Sequence, residues 1–302
     1  MVTPILGTVL GREGAEYRVV TGGAEVRAVL RGKVKLSTPK VVVGDVVQLE
    51  ADAGADLHGI IGVEPRRTVL ERRVPGGRGV RPIAANVDQV FIVTAARNPD
   101  PIPQLIDRLL VLAEADGIAA AVVLNKVDLD PGTALGERCR RAGYPVYPTS
   151  IKTGEGMDTF KLALAGRASV VAGPSGVGKS SLLNAVQPGL KLRTGELSRR
   201  IKRGRNTTVS SVMLPLLAGG YLVDTPGFSE VGLWGIDPRE LAECFPEFRP
   251  FLGDCRFGDC WHKSEPGCRI HEAVAGGAVA EDRHQSYLVL LAELEGQPEE
   301  WE

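Results

Sequence analysis

The stretch GPSGVGKS, residues 173–180, constrains this chain more than any other. Gly173, Gly178, Lys179 and Ser180 satisfy G-x-x-x-x-G-K-S, with the apolar run ASVVA before them and SSLLNAV after them. Strand, glycine loop and helix in that order form a unit of parallel α/β sheets. The glycines allow backbone N–H groups to turn inward around phosphates with no Cβ in the way. The helix that follows points its positive end at the same place. The spacing therefore predicts a polyphosphate cradle from Gly173, Pro174, Ser175, Gly176, Val177, Gly178, Lys179, Ser180 and Ser181. Lys179 would reach the β- and γ-phosphates, and the Ser180 hydroxyl would ligate Mg²⁺.

Two further stretches complete the pattern. In YLVDTPGF (221–228) a strand ends at Asp224, placed to hold the Mg²⁺ shell, and the Gly227 N–H can sense the γ-phosphate. In VVLNKVDLD (122–130) Asn125, Lys126 and Asp128 form an N-K-x-D tetrad after a buried-strand run. The Asp128 carboxylate can accept two hydrogen bonds from guanine, at N1–H and at the exocyclic amine. Adenine has no such pair, and a buried carboxylate left unpaired against it costs on the order of several kcal/mol. Asn125 would brace this loop and the Lys126 stem would lie under the base. Ser150, in YPTSIKTGEG, falls where a second guanine loop reading S-A-K is expected; here it reads S-I-K, with Lys152 third. In an ordinary GTP-binding domain the phosphate loop comes first. Here the guanine loops precede it, so the motif order is circularly permuted. Such rejoining is physically easy when the original termini lie close together on the surface. It also makes the segment after DTPG lead straight into a C-terminal region.

The rest of the chain frames this centre. Its 302 residues are 43% hydrophobic with a net charge of −1, which suits folded domains and not disorder. The longest apolar runs, such as IAAAVVL at 118–124, are far shorter than the ~18 residues that span a bilayer. The start, MVTPILGTVLGRE, has no basic leader followed by a long apolar stretch, so a cytoplasmic protein without membrane contact is expected, and a monomer. Residues 1–68 alternate short β-rich runs with glycine turns and predict an all-β, OB-type barrel. Residues 80–232 alternate strands and helices, including PQLIDRLLVLAEADG, which puts Leu105, Ile106, Leu109, Leu110 and Leu112 on one face and stops at Gly117. Residues 233–302 begin rich in Gly and Cys and end in an amphipathic helix, EDRHQSYLVLLAELEG. Residues 190–206 carry seven Lys/Arg against one Glu, and 66–81 carry six Arg against one Glu. Two basic segments on a mildly acidic chain suggest a polyanionic partner, the other reading being solvated loops.

Five cysteines in a chain of this length do not make a disulfide scaffold. Cys255, Cys260, His262 and Cys268 read C-x4-C-x-H-x5-C. Thiolate and imidazole donors in fours suit one tetrahedral, closed, structural Zn²⁺ per chain. His271 is an alternative to Cys268 as the fourth ligand. Cys139 and Cys244 read as ordinary thiols.

The permuted order, together with IAANVDQV (83–90), GPSGVGKSSLLN and CRFGDCWHKSEPGC, resembles the small-ribosomal-subunit-dependent GTPases of the RsgA (YjeQ) family, and the likeness runs through essentially the whole chain. The resemblance implies a multidomain protein: an N-terminal OB-type barrel, a central P-loop GTPase fold with permuted motifs, and a C-terminal, mostly helical zinc domain. It favours Cys268 over His271. It further implies a late assembly factor that binds GTP and GDP, contacts the small ribosomal subunit and its rRNA, and is stimulated by that subunit.

One segment departs from the family. RRIKRGRNTTV (199–209) lies where the first switch belongs, and Thr207 or Thr208 would ligate Mg²⁺ there. The family usually reads G-R-H-T-T, its histidine being suspected of positioning the attacking water. This chain has Asn206, which can orient water but exchanges no proton near neutral pH. Phe228 stands where many GTPases place a water-orienting Gln. Slow intrinsic hydrolysis follows, with positioning supplied on partner binding. A second reading, an RNA-binding anchor with a vestigial nucleotide site, rests on Asn206 and Phe228. A third, a P-loop kinase or ATPase, conflicts with Asp128.

Overall fold

A computed structural model of the chain describes residues 5–32, 40–50, 57–72, 81–190, 211–225, 232–233 and 236–296. The N-terminal strands are β1 (Ile5–Glu13), β2 (Glu16–Thr21), β3 (Ala24–Leu30), β4 (Val46–Glu50) and β5 (Leu57–Val63). They close into a barrel in the order β1-β2-β3-β5-β4, with β3 and β5 parallel and β4 returning to β1. Alternation along each strand sends Val9, Tyr17, Val19, Ala28, Val47, Leu49 and Ile60 inward to fill it.

A two-stranded hairpin, β6 (Val69–Arg72) and β7 (Arg81–Ala85), joins the barrel to the centre. The junction is tight. The Ala85 N–H donates to the Val43 carbonyl and the Asn86 amide donates to the Gly44 carbonyl, both at 2.8 Å. Gly44 has φ +84°, and a Cβ there would lie 1.9 Å from the Ala85 carbonyl oxygen. Arg66 forks onto the fully buried Asp45 at 2.7 and 2.9 Å, and Arg67 pairs with Asp88 at 3.0 Å. These two members of the basic segment 66–81 are thus engaged within the chain. Residues 73–80 and 191–206 of the two basic segments lie outside the described residues.

The central sheet has six strands in the order β10-β9-β8-β11-β13-β12: β8 (Gln89–Ala95), β9 (Ala119–Asn125), β10 (Val146–Thr149), β11 (Ala168–Ala172), β12 (Val212–Pro215) and β13 (Tyr221–Asp224). All pairs are parallel except the edge pair β12–β13. β8 is buried at every position, as a run covered on both faces must be. Its period of two divides the core: Val90 and Ile92 face one layer, Phe91 and Val93 the other. α1 (Pro103–Ala115) and α2 (Thr133–Arg141) cover the first face, while α3 (Met157–Leu164) and α4 (Lys179–Val186) cover the second. α1 ends close to the expected point, with Gly117 at φ +65° just beyond it.

The C-terminal segment contains two 3₁₀ turns, Leu241–Cys244 and Arg249–Phe251, then α5 (Arg269–Ala275) and α6 (Glu281–Glu295). It packs as a continuation of the first core layer: Phe245, Phe248 and Tyr287 join Ile106, Leu109 and Leu110 of α1. Each such side chain contributes roughly 1.5–3 kcal/mol by leaving water. Among the described residues, no helix is long and apolar enough to cross a membrane.

Gly44→Ala is expected to destabilise the fold by about 2 kcal/mol or more, because it adds a left-handed backbone penalty to a clash with backbone. Gly14→Ala, with φ +63° but open space around it, is expected to cost only about 1 kcal/mol. Urea unfolding of the two variants tests the difference.

Candidate functional site

Parallel pairing brings the C-terminal ends of β8, β9, β11, β13 and β10 to one edge of the sheet, the edge where ligands of open α/β sheets bind. β11 ends at Ala172, and Gly173–Gly178 form the loop that opens α4 at Lys179. The loop needs its glycines. Gly173, Gly176 and Gly178 have φ of +138°, +84° and +95°. A Cβ on Gly173 would lie 2.1 Å from the Val93 carbonyl oxygen, and one on Gly178 would lie 2.6 Å from the Asn125 amide nitrogen. Pro174, Ser180 and Lys179 are half-buried, Val177 is buried, and Ser175, Gly176 and Ser181 are exposed. The Lys179 ammonium arches over the loop and donates to the Gly173 and Pro174 carbonyls, both at 2.7 Å. Burial lowers its pKa from the ordinary lysine value.

β9 ends at Asn125, 1% exposed. Its amide donates to the Val177 carbonyl at 2.8 Å, and the Thr149 hydroxyl approaches its carbonyl oxygen at 3.3 Å. Lys126, at φ +65°, stretches along the cradle and donates to the Gly176 carbonyl at 2.9 Å and to the Asn98 carbonyl. Asp128 is exposed and accepts a 2.7 Å hydrogen bond from the buried Ser150 hydroxyl. Ser150 also accepts from the Thr153 N–H at 3.2 Å, and Lys152 is exposed on the same turn. The structure therefore joins the N-K-x-D stretch, the Ser150 loop and the phosphate loop directly. With Val170 opposite Val223, Asp224 comes to the same edge as the glycine loop. Asn206, Thr207, Thr208, Gly227 and Phe228 lie outside the described residues.

Sequence reading missed Asn98 and Thr149. Asn98 acts through its backbone carbonyl, which no residue-type motif records. The available signal was positional: it lies in the loop that leaves the fully buried β8 at the ligand-binding edge.

A second centre lies in the C-terminal segment. The donor atoms of Cys255, Cys260, His262 and Cys268 all lie within 4.8 Å of one another. His262 Nδ1 is 3.6 Å from Cys255 Sγ and 3.4 Å from Cys268 Sγ. Ligands at Zn–S and Zn–N bond lengths on a tetrahedron lie roughly 3.5–3.8 Å apart, so the donor set fits this ion. Four protein donors leave no open coordination position, and such an ion would cross-link the loop without catalysing. Burial lowers the His262 pKa and so keeps the imidazole neutral, the form that binds metal. Burial pushes the Cys260 thiol up to about 12, so only a cation would hold that sulfur as a thiolate. His271 faces elsewhere: its Nε2 lies 3.1 Å from the His262 carbonyl oxygen, and His284 Nε2 reaches the same oxygen at 2.8 Å. Cys139 and Cys244 are buried away from the cluster, and burial pushes the Cys139 thiol up to about 11.

Elemental analysis is expected to find one zinc per chain. His271→Ala should retain it, whereas Cys260→Ser and Cys268→Ser should lose it and melt at lower temperature.

Comparison with known proteins agrees with the nucleotide centre. A sequence profile of the RsgA GTPase family matches residues 63–234. The small ribosomal subunit biogenesis GTPase RsgA of Gemmatimonas aurantiaca is 47% identical, over 98% of this chain and 99% of that protein. The protein of the same name from Moorella thermoacetica is 44% identical, over 95% of this chain and 97% of its own length. The crystal structure of YjeQ from Thermotoga maritima superposes with a TM-score of 0.84 at 36% identity, covering 97% of this chain and 99% of that one. YloQ, described as a circularly permuted GTPase, superposes with a TM-score of 0.80 at 28% identity, covering 99% of this chain and 97% of its own. With the family profile covering more than half of the chain and these relatives matching nearly its whole length, the chain belongs to the RsgA family of circularly permuted GTPases.

Proposed function

We propose that this chain hydrolyses GTP to GDP and phosphate while bound to the small ribosomal subunit, late in the assembly of that subunit. The observation that carries the reading is the pair of hydrogen bonds joining the two halves of the site: Asn125 to the Val177 carbonyl and Lys126 to the Gly176 carbonyl. They fix the distance between a guanine reader and a phosphate cradle that are far apart in sequence. In this reading Asp128 accepts from the guanine N1–H and amine, with Ser150 holding the carboxylate in orientation. The backbone from Gly173 to Ser181 receives the phosphates at the start of α4. Lys179 leaves its two carbonyl partners for the β- and γ-oxygens, where its charge opposes the negative charge developing in the transition state.

Ser180, Asp224 and either Thr207 or Thr208 would hold Mg²⁺, which neutralises phosphate charge when bound. Gly227 would report the γ-phosphate to the segment leading into the C-terminal domain. Asn206 would orient the attacking water, and with Phe228 in place of a water-orienting Gln the chain alone hydrolyses slowly. Division near residues 68 and 232 gives the three functional units: a barrel and basic segments that grip rRNA through phosphates and shape, the GTPase, and a zinc-stabilised domain. The protein works as a cytoplasmic monomer, and its nucleotide state sets its affinity for the subunit.

GTP turnover titrated with purified small and large ribosomal subunits tests this. Small subunits are expected to raise kcat by at least about tenfold and large subunits to leave it unchanged; full-rate turnover by the chain alone would overturn the reading. Asp128→Ala is expected to weaken GDP binding by about 100-fold or more, removing preference over ADP, with little loss of fold stability because the side chain is exposed.

A further inference from the structure

The first core layer contains a group of buried charges that nucleotide chemistry does not use. Asp107, on α1, is fully buried. Arg138 of α2 forks onto it at 2.8 and 2.7 Å, and Arg283 of α6 donates to it at 2.7 Å. Arg283, 1% exposed, donates from Nε to Glu247 at 2.5 Å, and Arg138 also pairs with Asp282. Ser286 adds a hydrogen bond to Asp107. Burial alone would raise the Asp107 pKa; the hydrogen bond from Arg138 and the charges of both arginines outweigh it and hold the carboxyl below its usual range.

A single buried carboxylate thus ties three helices together, one of them from the C-terminal segment. The same α6 holds the metal-ligand loop, with the Tyr287 hydroxyl donating to the Trp261 carbonyl at 2.9 Å and His284 meeting the His262 carbonyl. At its other end α1 begins at Pro103, directly after the loop that contains Asn98. The Asn98 carbonyl receives the Lys126 ammonium, which also bonds to Gly176 of the glycine loop. The contacts form an unbroken chain from α6, through Asp107 and α1, to the floor of the nucleotide site.

We propose that Asp107, clamped by Arg138 and Arg283, is a positioning residue for nucleotide binding: it fixes α1, and through the Asn98 carbonyl it fixes Lys126 against the glycine loop. The C-terminal domain is then part of the nucleotide site's support and not an appendage of it. The proposal rests on the guanine-nucleotide reading of that site. Coupling through packed, hydrogen-bonded elements of this kind changes affinity by roughly two- to thirtyfold.

The test is a double-mutant cycle read with a fluorescent GDP analogue on full-length protein. Asp107→Asn is expected to raise the GDP dissociation constant by roughly two- to thirtyfold. In a Lys126→Ala background the same substitution should change it less than about twofold, because the link it acts through is gone. Gly44→Ala, which destabilises the distant barrel junction, should leave GDP affinity as in wild type. If Asp107→Asn does not fold, Arg138→Lys, which keeps the charge but loses the paired bonds, is measured in the same cycle. A folded variant with lowered melting temperature and unchanged GDP affinity would overturn the proposal, as would an undiminished effect in the Lys126→Ala background. Wild-type protein that failed to bind GDP would remove the functional reading and this proposal together; wild-type binding with an indifferent variant removes the proposal alone.

Discussion

Parallel hydrogen bonding of β9, β8, β11 and β13 governs the organisation of this molecule. Because these strands run the same way, every loop leaving them emerges at one edge. Order along the chain then ceases to matter for the site. Asn125 ends β9 and Gly173 follows β11, with β8 between those strands, and the Asn125 amide still closes on the Val177 carbonyl. Circular permutation leaves such a site intact, since the site is defined by sheet position and not by sequence order. What permutation alters is connectivity: the strand ending at Asp224 now feeds the C-terminal segment.

That segment is held by a mixture of apolar and ionic contacts. Phe245, Phe248 and Tyr287 extend the core of α1, with ring centroids 5.0–5.5 Å apart. Beside them the Asp107 cluster keeps two arginines almost out of water. Buried ion pairs of this kind contribute little net stability, because desolvation offsets most of the attraction. Breaking one partner nevertheless leaves an uncompensated buried charge, which costs far more than the pair contributes. The partly exposed pairs between the same segments, Arg108 with Glu293 and Arg249 with Glu114, add comparatively little.

The metal-ligand loop shows a related economy. Residues 252–268 contain no α-helix or strand, and side chains order their backbone. Glu265 accepts N–H bonds from Trp261, Lys263 and Ser264, and these hold its carboxyl down at about 2 against a burial effect that would raise it. His284 and Tyr287 reach in from α6 to the loop carbonyls. A closed tetrahedral ion on the Cys₃His donors would complete a loop too short to build a core of its own.

The sequence by itself determined the glycine loop, the N-K-x-D stretch, their permuted order, the barrel pattern and the Cys₃His spacing. Each of these is local chemistry: fixed spacing in GPSGVGKS and NKVD, period-two alternation in the barrel strands, and softness of donors in the cysteine cluster. It could not separate Cys268 from His271 by spacing alone; the direction of the His271 ring did that. Nor did it reveal Asp107, Arg138 and Arg283, whose residue types suit a solvated helix surface as well as a buried cluster. A charge on a helix is solvated unless another element covers it, and the docking of α6 is a long-range event invisible to local pattern. Asn98 escaped for a different reason, since a backbone carbonyl has no residue identity. Tertiary structure alone decided which charges were buried together and which loop supports Lys126, because both depend on elements distant in sequence meeting in space.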